Sequence, residues 1–68
     1  MAVLKVLEIL SDSKKSWEDA AQNAVKEVSK TVRNIRSVNI KNFSAEVKNG
    51  VITEWRVNCN VTFEKENK

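Results

Sequence analysis

The sequence has no histidine and no proline, and only one cysteine (Cys59) and one glycine (Gly50) in 68 residues. Without histidine, no side chain is poised to exchange a proton near neutral pH, and a lone cysteine cannot complete a zinc-ligand spacing. The single cysteine also excludes an internal disulfide. One isolated glycine excludes a Gly-rich phosphate loop. No apolar run approaches the roughly 18 residues of a membrane span, so no membrane partner is expected. Met1 to Leu10 is apolar but carries Lys5 and Glu8 and no small-residue cleavage site, so it does not read as a signal peptide. With an unpaired thiol, a cytoplasmic location is the expectation.

A chain of this length forms one domain, residues 1–68, and buries only a small core. With disulfides and metal excluded as staples, association with copies of itself is the remaining support. Lys plus Arg number 12 and Asp plus Glu 9, a net charge of +3 that is scattered rather than blocked. A nucleic-acid binder clusters its bases on one face with aromatics between them. Here the aromatics are Trp17, Phe43, Trp55 and Phe63, three of them at positions that read as core, so no nucleic-acid partner is expected.

The pattern predicts the order β-α-β-β, an α+β fold. Residues 3–10 read as a strand with Leu, Val and Ile on both faces. Such a strand is usually covered on both sides, and one helix covers only one. Ser11 to Lys15 reads as a loop. Ser16 is a good N-cap, with Glu18 and Asp19 complementing the positive helix end. Trp17, Ala20, Ala21, Ala24, Val25, Val28, Val32 and Ile35 recur at three- and four-residue spacing, predicting a helix over about 17–34. Residues 38–47 read as a strand whose apolar positions switch from even (Val38, Ile40) to odd (Phe43, Ala45, Val47). That switch predicts a β-bulge near Lys41-Asn42. Asn49-Gly50 predicts a tight hairpin. Residues 51–63 alternate cleanly, with Val51, Trp55, Val57, Cys59, Val61 and Phe63 on one face. The third strand is expected to pair with both others in an antiparallel sheet curled round the helix. Glu64 to Lys68 reads as a charged tail.

No nucleophile or acid–base set is present, so the chain does not read as an enzyme. Cys59, between Val57 and Val61, reads as a small buried hydrophobe. Glu18-Asp19 reads as a complement to the helix dipole. The polar side of the third strand is more informative. Arg56, Asn58, Asn60 and Thr62 make a row of hydrogen-bonding groups that symmetry would copy around an oligomer. Asn58, Asn60 and Glu64 could supply oxygen ligands to a hard cation, although their spacing is no recognised motif.

Four stretches stand out together: Lys5-Val6-Leu7-Glu8-Ile9, Ser16-Trp17-Glu18-Asp19-Ala20 with Asn23-Ala24, Lys30-Thr31-Val32-Arg33-Asn34-Ile35-Arg36, and Asn49-Gly50-Val51 with the strand to Phe63. In this order and spacing they resemble the dodecins, small flavin-binding shells. The resemblance implies a β-α-β-β protomer, a hollow homododecamer, and storage of flavin (riboflavin, FMN or FAD) without turnover. It also implies a pocket in which a Trp stacks on the isoalloxazine and a Gln of the third strand hydrogen-bonds the ring. Those two positions align with Ser37 and Arg56, and the matching pocket residues are Arg36, Ser37, Val38 and Arg56. Ser37 has no π-face, and Arg56 cannot accept a hydrogen bond from a ring N–H. Trp55 is no substitute, because alternation turns it toward the helix. The expectation is a dodecin-like shell with flavin binding weak or lost. The alternative is a shell that binds a cation, an anionic ligand held by Arg36 and Arg56, or a protein partner.

Overall fold

The computed structural model describes residues 2–65. Four elements follow in order: β1 (Leu4–Ser13), α1 (Trp17–Ser29), β2 (Ile35–Lys48) and β3 (Val51–Glu64). The sheet is antiparallel, with β3 in the centre between β1 and β2. Of the predicted tail, Glu64 closes β3 and the Lys65 N–H donates to the Val3 carbonyl. Residues 66–68 lie outside the described range.

The helix starts where Ser16 places it. The Ser16 Oγ accepts from the Asp19 N–H at 3.0 Å, satisfying one of the unpaired donors of the first turn. Ala20, Ala24 and Val28 form its buried stripe and lie on Val57, Cys59 and Val61 of β3. Small residues on both sides let helix and sheet approach closely, and among the described residues these six make the buried apolar core. None of the four aromatics is buried, contrary to the expectation that three belong to the core. Trp17 and Phe43 instead meet edge to face, with ring centres 5.6 Å apart, over the start of the helix. The Trp17 Nε1–H donates to the Ser44 carbonyl at 2.9 Å.

The helix ends at Ser29, not near residue 34 as the apolar spacing predicts. Val32 and Ile35 do pack on the core, which is why they continue the pattern, but they do so from a tightened exit turn and from β2. β-Branched Thr31 and Val32 favour this exit, and Asn34 takes the left-handed conformation (φ 64°) that reverses the chain into β2. β2 consequently starts three residues earlier than expected and contains Arg36, Ser37 and Val38. β1 also runs on through Ser11–Ser13, expected as loop, because β3 extends far enough to pair with them.

The expected bulge is present, as the register slips between Ile40 and Asn42 with Lys41 as the extra residue. A second slip, between Ile35 and Ser37, makes Arg36 an extra residue too. A third falls between Glu46 and Val47. Asn49 and Gly50 turn the hairpin with φ of 52° and 77°, the positive values a two-residue type I′ loop requires.

Candidate functional site

The pairing register divides the sheet into two faces. Val57, Cys59 and Val61 of β3 face the helix. Glu54, Arg56, Asn58, Asn60 and Thr62 face away, on a surface no part of the described protomer covers. From β1 the outer face receives Leu4, Val6, Glu8, Leu10 and Asp12, and from β2 Ser37, Asn39, Asn42, Ser44 and Glu46.

The bulges place two more charges there. Arg36 pairs with Glu64, and Lys41 reaches across the sheet to Glu8 at 3.0 Å. Each extra residue of β2 is thus a base aimed at an acid on another strand, an effect bulges produce by turning a side chain out of the regular alternation. Arg56 lies between carboxylates from both neighbouring strands. Its Nε and Nη2 donate to the two Asp12 oxygens at 2.6 and 3.1 Å, and Nη2 stands 3.6 Å from Glu46 Oε2. In all, five acids (Glu8, Asp12, Glu46, Glu54, Glu64) share the face with three bases (Arg36, Lys41, Arg56), although the whole chain carries +3.

The pairing shifts the titrations. The hydrogen bond from Arg56 holds Asp12 below the usual carboxylate range, and Asp12 and Glu46 in turn push the guanidinium up. The bond from Lys41, with a smaller one from Asn58, holds Glu8 down. The Asn58 Oδ1 is buried without a hydrogen-bond partner in the protomer. On the other face, burial raises the Cys59 thiol, which keeps it protonated and inert.

Ser37 and Arg56 share the outer face but do not meet. Ser37 lies opposite Thr62, and Arg56 is six residues further along β3, about 20 Å at the rise of an extended strand. Arg36 and Ser37 both lie near the β2 start, while Val38 sits opposite Val61 on the helix-facing side. No single protomer gathers these four residues around one small ligand. Among the described residues no group of three or more Asp, Glu, Cys or His is placed to hold a metal ion. Among the described residues no helix is long and apolar enough to cross a membrane.

Sequence reasoning missed Ser13. It is buried, its hydroxyl donates to Asp19 Oδ2 at 2.7 Å, and its Oγ accepts from the Lys15 N–H at 2.9 Å. Asp19 therefore ties the β1–α1 turn to the helix as well as complementing its dipole. Nothing in the local pattern marks Ser13 out, since the contact depends on β1 continuing to that residue.

The protein-family model described as Dodecin matches residues 3–66. Among solved structures, a protein of Thermus thermophilus is 25% identical over 100% of both chains, with a TM-score of 0.94. The dodecin of Streptomyces coelicolor is 22% identical, covering 98% of this chain and 96% of its own, with a TM-score of 0.92. The calcium-chelating dodecin of Mycobacterium tuberculosis is 32% identical over 94% of this chain and 91% of its own, with a TM-score of 0.81. No curated protein matches the chain.

Proposed function

The chain belongs to the dodecin family, and from that premise we propose that it is a small-molecule binding protein whose copies form a hollow dodecameric shell in which flavin binding is weak or lost. The observation that carries this reading is the pair of replacements at Ser37 and Arg56. A serine removes the ring that would stack on an isoalloxazine, a loss of about 1 kcal/mol beyond the buried area. Arg56 is engaged by Asp12 and Glu46 and presents no acceptor to a ring N–H. Neither contact that the family resemblance implies is on offer.

Apolar exposure supports assembly. Leu4, Val6 and Leu10 of β1 are 54%, 57% and 68% exposed, and Phe43, Val47 and Val51 on the long hairpin 59%, 58% and 61%. So much exposed apolar side chain on a 68-residue protomer calls for a covering partner, and further copies of the same chain supply one. The role is binding without turnover, since the chain offers no group to move a proton near neutral pH.

A second reading is a shell that holds a cation. It is favoured by the excess of acids on the outer face, and the calcium-chelating relative sets the precedent within the fold. A cation would draw its oxygens from more than one copy.

Riboflavin fluorescence titrated with the assembled protein, with particle mass measured on the same sample, tests the reading. Little quenching by a twelve-subunit particle is expected. Strong quenching would overturn the loss of flavin binding, and a monomer would overturn the shell. The double substitution Ser37→Trp with Arg56→Gln is expected to raise riboflavin affinity at least tenfold, or about 1.4 kcal/mol.

A further inference from the structure

We propose that Asp12 and Glu46 are specificity residues that close the outer sheet face to anions by occupying the guanidinium of Arg56. The proposal rests on the reading above only in placing the ligand site on this face. An exposed arginine is the ordinary receptor for a phosphate or carboxylate, since its planar fork matches their geometry. Here the fork is already filled. Two N–H groups of Arg56 go to the two oxygens of Asp12, directly opposite on β1, and Glu46 approaches from β2 on the other side. An isolated exposed ion pair contributes little, but a bidentate pair joined by a third charge holds its geometry better.

An incoming anion would have to displace a carboxylate and then sit beside it. Glu54, directly opposite Glu46, adds a further negative charge at that end of the sheet. The other two bases offer no alternative, because Arg36 is taken by Glu64 and Lys41 by Glu8. All three bases of the face are neutralised within the face. The ligand it admits therefore carries no negative charge, and a phosphorylated form of the same molecule is rejected. The proposal runs against the alternative in which Arg36 and Arg56 hold an anionic ligand.

Calorimetric titration of the assembled protein with pyrophosphate at low salt tests the proposal. The wild type is expected to bind weakly. Asp12→Asn combined with Glu46→Gln keeps the side-chain shapes and is expected to gain at least tenfold, and adding Arg56→Gln is expected to abolish the gain. A wild type that binds pyrophosphate as tightly as the double variant overturns the proposal, as does a gain that survives loss of Arg56. Should the variants fail to assemble, the wild type decides alone, and FMN bound more tightly than riboflavin refutes the charge filter. Riboflavin titrated in parallel reports separately on weak flavin binding, so the two readings fail by different signals.

Discussion

Successive residues of β3 lie in two different surroundings. Val57, Cys59 and Val61 are wholly enclosed by the helix, while Arg56, Asn58 and Asn60 between them carry charges and amides on the uncovered face. The first set is small, apolar and closely packed, and it decides whether the chain folds. The second set meets its partners through long side chains with room to rearrange. One strand can therefore keep the fold with its odd positions while its even positions change the ligand. Arg56, and Ser37 of β2 opposite Thr62, both lie on the outer face, so the loss of flavin contacts proposed above would leave the enclosed core untouched.

The contrast breaks most sharply in the core. Val61→Ala removes two methyl groups from a site with no access to solvent. It is expected to cost about 2–3 kcal/mol once the cavity is included, read as a shift in the urea midpoint at fixed protein concentration. An effect below 0.5 kcal/mol, typical of a surface site, would mean that the enclosed face is less decisive than its packing implies. Asn58→Leu probes the outer face at its least satisfied atom. Relief of the unpaired buried carbonyl is offset by loss of the hydrogen bond to Glu8, so stability is expected to stay within about 1 kcal/mol of the wild type. A clear loss would show that a neighbouring copy uses this oxygen. Acid titration gives the smallest effect. Asp12 and Glu8 have folded-state values below their unfolded ones, so their contribution is present above the ordinary carboxylate range and is lost as pH falls through the depressed values. Unfolding followed from pH 6 to 2 is expected to show a weaker acid dependence in the Asp12→Asn, Glu8→Gln variant than in the wild type.

Features set by neighbours in the chain were legible in the sequence. They include the Ser16 cap, the Asn49-Gly50 turn, the alternation of β3 and the bulge at Lys41, which shows as a change of parity. The central place of β3 followed from its hairpin with β2 and from the helical crossover, which disfavours direct pairing of β1 with β2. Features set by distant residues were not legible. Val32 and Ile35 reach the core from outside the helix, yet their spacing matches a helical stripe, so the pattern predicts a helix longer and a β2 shorter than the structure has. The bulge at Arg36 is hidden for the same reason, since Ile35 continues the helical spacing. The clamp on Arg56 joins residues 44 positions apart, and no local pattern announces it. Exposure of the aromatics could not be foreseen either, because it depends on how little of the long hairpin one short helix covers.

The bulge at Lys41 has a consequence for how this strand can vary. It acts as a change of reading frame, because it moves the helix-facing set from even numbers to odd. Loss of that one residue would restore a regular ladder and leave Val38, Ile40, Phe43 and Ala45 all facing the helix. Substitutions along β2 alter one side chain each, whereas a one-residue insertion elsewhere in the strand exchanges two environments along part of its length. The segment should therefore accept changes of residue type along its length and a deletion only at the bulge.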